Sequence, residues 1–121
     1  MHHAEITMLA RSIETAATDQ PEFIKSVLQG LQAVFPRRAV DLSVLTSTEA
    51  ALALVCAEYP GWRIDLQGQA KTESGGWTCS IRENGTRDDD EVIGIGSAGT
   101  IPLALVSAML LAAARRAEGY V

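Results

Sequence analysis

The stretch Glu91 to Ala114, EVIGIGSAGTIPLALVSAMLLAAA, decides the fold. It reads as a short strand over about Glu91 to Gly96, a glycine turn, and a helix that is apolar almost all the way round. Thr100 is placed to cap that helix, and Pro102 falls in its first turn, where a missing N–H costs nothing. Arg115 and Arg116 complement the negative end of its dipole, and Gly119 is a plausible terminator. Leu103, Leu105, Val106, Met109, Leu110 and Leu111 surround the helix, so one sheet face cannot bury it. The N-terminal helices are expected to cover its far side, with a two-fold partner subunit as the alternative cover. The same stretch holds Gly94-Ile-Gly96-Ser-Ala-Gly99, which fits the dinucleotide-binding pattern G-x-G-x-x-G. That chemistry needs a further parallel strand and an acidic residue about 20 positions on. Only 22 residues follow Gly99 and the helix takes most of them, so these glycines read as a flexible turn between strand and helix.

Working back from there, two strands show plain alternation. Trp62, Ile64 and Leu66 share one face against Arg63, Asp65 and Gln67; Trp77, Cys79 and Ile81 repeat the pattern against Thr78, Ser80 and Arg82. Gly68 to Gly76 joins them as a polar loop, and Glu83-Asn84-Gly85 is a turn signal before the third strand. Upstream, Thr46-x-x-Glu49 matches a capping box, and Ala51, Leu52, Val55 and Tyr59 carry a helix that Pro60-Gly61 stops. Arg37 to Leu45 is ambiguous: Val40, Leu42 and Val44 alternate with polar residues and suit a short strand or an extended linker. The first third reads as two helices. Ile6, Leu9 and Ile13 mark one; Phe23, Ile24, Val27, Leu28, Leu31, Val34 and Phe35 mark the other, opened at Asp19-Gln20-Pro21 and ended by Pro36. The expected fold is α+β: a three-stranded antiparallel sheet packed on helices in α-β-β-β-α order (46–121), preceded by an N-terminal helix pair and linker (1–45) packed on it.

Composition excludes several classes. A chain of 121 residues with 47% hydrophobic and 21% charged residues can build a real core and is not a disordered chain. Its net charge of −5 argues against non-specific attraction to nucleic acid or anionic lipid. Cys56 and Cys79 form no CxxC pair and read as small core residues of a reduced, cytoplasmic protein. Met1-His2-His3 leads into an amphipathic segment rather than a secretory signal, and the apolar run Ile101–Ala114 is shorter than a membrane span.

No chemistry is flagged by spacing. Asp88-Asp89-Asp90-Glu91 lacks the alternating ligands and distal glutamate of a calcium loop and reads as a solvated run. His2 and His3 are the only histidines, so a Ser-His or Cys-His site has no base to draw on. Glu58, Asp65, Glu73 and Glu83 fall on polar faces or loops. No catalytic, metal or cofactor-binding residue is assigned, and a non-enzymatic protein is expected. The α-β-β-β-α order is shared with double-stranded-RNA-binding domains, but the last helix begins Gly99-Thr-Ile-Pro-Leu-Ala-Leu and offers no cation before Arg115. Trp62 and Trp77, each after a glycine, read as core aromatics. The polar sheet face of Arg63, Asp65, Thr78, Ser80 and Arg82 is the candidate binding surface.

The capped alanine-rich helix, Gly61-Trp62, Gly76-Trp77-Thr-Cys and Thr100-Ile-Pro102-Leu103-Ala104 together resemble the phage ABA sandwich domain, over roughly Thr46 to Ala117. The N-terminal helix pair and the polar sheet face depart from that family. The resemblance implies a mobile-element origin and carries over no catalytic residue. It implies an accessory protein that binds and inhibits a host protein, such as a CRISPR or other defence complex. A minor virion or assembly component, oligomerising through the last helix, is the alternative. A double-stranded-RNA-binding-like module is a third reading.

Overall fold

In the computed structural model, which describes residues 3–15, 21–69, 76–83 and 93–117, one helix organises everything else. The elements run α1 (His3–Thr15), α2 (Pro21–Val34), α3 (Ser43–Thr46), α4 (Thr48–Glu58), β1 (Arg63–Gln69), β2 (Gly76–Arg82), β3 (Ile93–Ala98) and α5 (Ile101–Ala117). The strands form an antiparallel sheet in the order β1-β2-β3. The fold is therefore α+β, as the strand and helix patterns predict. α5 lies between the sheet on one side and α1, α3 and α4 on the other. Every residue from Pro102 to Ala112 is buried. Its apolar surface is thus covered within the chain, which removes it as the interface for a two-fold partner.

The contact between α5 and the sheet explains the glycine pattern. The inner face of the sheet presents Ile64, Ile81 and Gly94 in one row, Leu66, Cys79 and Gly96 in the next, and Gly68, Trp77 and Ala98 in the third. A Cβ at Gly94 would lie 2.2 Å from the Ala108 carbonyl oxygen, and one at Gly96 would lie 2.5 Å from the Ala108 amide nitrogen. The glycines let helix backbone rest on strand backbone, a close approach that any side chain prevents. Gly94 and Gly96 thus lie within β3, not in the strand-to-helix turn. The helix lies under β2 and β3, so β1 overhangs it: Ile64 is half-buried and Leu66 partly exposed.

On its other side α5 meets α1 through small residues. Ser107, fully buried, donates its hydroxyl to the Ala10 carbonyl at 3.3 Å, which satisfies the polar group inside the core. Tyr59, at the end of α4, donates its hydroxyl to the Met109 carbonyl at 2.9 Å. Its ring meets Phe35 and Trp62 edge-on, and the Arg116 guanidinium sits 4.4 Å from its centroid. Burial pushes the Tyr59 phenol above its ordinary range, with Arg116 pulling the other way.

Several local expectations are corrected. Residues 40–44 form no strand. The Val40 amide and the Arg38 carbonyl bond to the Gln32 side chain, and Asp41 accepts from the Ser43 amide to open the short α3. The cap of α4 is Ser47, whose hydroxyl accepts from the Ala50 amide; Thr46 belongs to α3 and donates back to the Leu42 carbonyl. Leu54, not Leu52, is buried on α4, and Cys56 is exposed on it. β3 runs to Ala98, two residues beyond the expected end, while Glu91 and the acidic run before it lie outside the described residues. Gly119 and His2 also lie outside them. Trp62 and Trp77 are both half-buried and sit at opposite ends of the β1–β2 pair, because the register sets Gly68 against Trp77 and Arg63 against Arg82.

Candidate interaction surface

Antiparallel pairing turns alternate residues to opposite faces, so the outer face follows directly from the register. Its rows are Arg63, Arg82 and Ile93; Asp65, Ser80 and Ile95; and Gln67, Thr78 and Ser97. All five residues expected on a binding face, Arg63, Asp65, Thr78, Ser80 and Arg82, are brought together there. Every described helix that touches the sheet, α1 and α5, lies on the inner side or beside β3, so no described element covers the outer face.

The face is held by short-range polar contacts. Arg63 Nε donates to Asp65 Oδ2 at 3.0 Å, an exposed pair that adds little stability and leaves both charges available. The Thr78 and Ser97 hydroxyls are 3.3 Å apart across β2 and β3. Arg82 and Ser80 are half-buried toward the centre of the sheet. The result is a mixed-charge surface on rigid strands, with two arginines at one end and hydroxyl and amide groups at the other.

Sequence alternation missed three members of this face. On β3 the usual order is inverted: the glycines point inward and Ile93, Ile95 and Ser97 point outward. Ile95 is 52% exposed, a large apolar side chain in water. The available signal was the Ile-Gly-Ile-Gly repeat itself, since glycine on one face marks where another backbone approaches.

The remaining reactive groups sit apart from this face. Burial, with a smaller push from the Asp65 carboxylate, raises the Cys79 thiol to about 12, so it stays protonated near neutral pH. Cys56 and Cys79 are both free thiols. Among the described residues no group of three or more His, Cys, Asp or Glu side chains converges. None of the described helices is long and apolar enough to cross a membrane. An apolar groove of about 310 Å³ lies between α2, α3 and the start of α5, lined by Phe23, Leu42, Leu45 and Leu103 among others. No family model, characterised protein or solved structure matches the chain.

Proposed function

We propose that this protein acts by binding another protein through the outer face of its sheet, without chemistry of its own. The observation that carries the reading is the bare face itself: a three-stranded sheet with its polar side uncovered by any described element, bearing Arg63, Asp65, Thr78, Ser80 and Arg82 on neighbouring positions. Rigid strands present such groups at low entropic cost, which favours specific recognition over loose contact. The likeness to the phage ABA sandwich domain narrows the proposal to an accessory protein directed at a host component, such as a CRISPR or other defence complex. Such a role needs only a complementary surface, which the mixed-charge outer face supplies. The assembly reading loses its stated interface, because α5 is consumed by the core.

The test is an affinity pull-down from nuclease-treated bacterial lysate, run with the wild type and with Arg63→Glu plus Arg82→Glu. The wild type should retain one stoichiometric protein complex. The double variant should fold, with a far-UV circular dichroism spectrum unchanged, and lose that complex. Retention of the same complex by the folded double variant would overturn the sheet-face reading.

A further inference from the structure

The free side of β3 offers a second, different kind of binding feature, made of backbone groups at the sheet edge. β3 is an edge strand, paired on one side with β2. The Ser97 amide points away from β2, because it donates to Glu14 Oε2 of α1 at 3.1 Å. Residues two apart on an antiparallel strand turn their N–H and C=O the same way, so Ile95 and Ile93 face the open side too. Among the described residues neither finds a backbone partner there. Among the described residues, Glu14 thus closes the edge at Ser97 and leaves it open at the two isoleucines.

The space beside that open length is a groove of about 390 Å³, bordered by Ile93 and Ile95, by Arg11 on α1, and by Leu111, Ala114 and Arg115 on α5. An unpaired edge beside exposed isoleucine is a template for strand addition. Charge selects the occupant. Among the described residues no carboxylate lines the groove; Arg11 is paired with Glu14 at 3.1 Å, and Arg115 makes no ion pair. A second copy paired β3 to β3 about a two-fold would bring Arg115 of both copies to one interface, where like charges oppose each other. An acidic strand meets no such penalty.

The geometry points to an extended segment of a partner protein that alternates aliphatic and acidic residues and joins the sheet as a fourth strand at Ile93–Ile95. Its outward side chains would lie beside Ile93 and Ile95, where β-branched residues pack best. Its inward side chains would meet Arg115 over the apolar floor of α5.

The probe is a fluorescently labelled eight-residue peptide of alternating Val and Glu. It is compared with a Val–Lys peptide and with a Val–Glu peptide N-methylated along one edge. Affinity is read by anisotropy, and amide exchange at Ile93 and Ile95 by NMR on the full chain. The Val–Glu peptide should bind and slow exchange of both amides at least tenfold. The Val–Lys and N-methylated peptides should bind at least tenfold more weakly, and Arg115→Glu should reverse the Glu-over-Lys preference. Arg63→Glu, two strands away on β1, should leave peptide binding intact, which separates this edge from the polar part of the outer face. Equal binding of the Glu and Lys peptides, or binding without protection of Ile93 and Ile95, would overturn the proposal. So would protection of both amides in the free protein at the mass of a dimer, since a second copy would then hold the edge.

Discussion

Gly94→Ala is the sharpest test of how β3 and α5 are joined. The added Cβ would lie 2.2 Å from the Ala108 carbonyl oxygen and 2.6 Å from the Ala112 amide nitrogen. Both are helix backbone atoms and cannot rotate aside. Ordinary contact is restored only if α5 retreats by about 1 Å, and its far surface is packed on α1 and α4. A gap of that size forfeits up to about half of the dispersion energy between the facing atoms. The expected loss is about 3 kcal/mol, at the upper end for overpacking, from a total of roughly 6–18 kcal/mol for a chain of this length. In a thermal melt it should appear as a fall in Tm of about 10 °C or more. Gly99→Ala is the internal control. It belongs to the same G-x-G-x-x-G pattern, yet nothing lies within 4 Å of its Cβ and its φ is not positive. It should be neutral, or stabilising by up to about 1 kcal/mol through a stiffer unfolded chain. Urea denaturation followed by circular dichroism measures both. A Gly94→Ala loss below about 1 kcal/mol, or losses of equal size at Gly94 and Gly99, would refute the backbone-contact account.

Two further expectations follow from the core. Gly30→Ala also meets an atom at 2.2 Å, but that atom is the Leu9 Cδ2 tip of a half-buried side chain. Rotation of Leu9 and the helix propensity gained in α2 should hold the net change within about 1 kcal/mol in urea melts, far from the Gly94 result. At high pH the buried acids dominate: Cys79 is held near 12 against an ordinary value of 9.0, and Tyr59 is raised above its ordinary 10.0. Each is neutral in the fold and ionises sooner when unfolded, so its contribution is complete below the unfolded value and is lost as pH rises. Stability should hold to about pH 8, fall from about pH 9 and steepen above 10, by up to about 1.4 kcal/mol per pH unit for each group. Cys79→Ala should remove the first limb and keep the second; a constant stability to pH 11 would contradict both assignments.

What the residues disclosed, and what they concealed, divides along physical lines. Alternation in Arg63–Gln67 and Trp77–Arg82 was enough to assign both faces of β1 and β2, because apolar and polar residues alternate on both strands and β2 buries Cys79 and Ile81 on its inner side. The all-round apolarity of α5 announced that it needed cover on two sides, and α1, α3 and α4 supply the second. β3 was harder. Its inward residues are glycines, so hydropathy alone points its isoleucines the wrong way; only the position of the α5 backbone resolves it. Residues 40–44 misled for a different reason. Alternation there is accidental: the Gln32 side chain takes the Val40 amide, and Ser43–Thr46 turn into α3. The Ser47 cap was missed because Thr46 and Ser47 both offer a hydroxyl, and the intervening α3 uses the first. The five polar residues of the outer face were legible from sequence. The open edge was not, since it depends on where the Glu14 carboxylate ends up across 83 positions of chain.

The central place of α5 also has a consequence for biosynthesis. The helix on which the sheet and three other helices rest is the last described element in chain order. During synthesis α1 emerges before the other described elements, with its buried face waiting for a segment made about a hundred residues later. Hairpins and helix pairs can form early, but none of them can bury its apolar side alone. Consolidation therefore waits for α5 to leave the ribosome, and it proceeds through contacts distant in sequence, which slows folding. A nascent chain stalled before residue 101 should remain a substrate for chaperones, and release of that one helix should convert it to protease resistance in a single step.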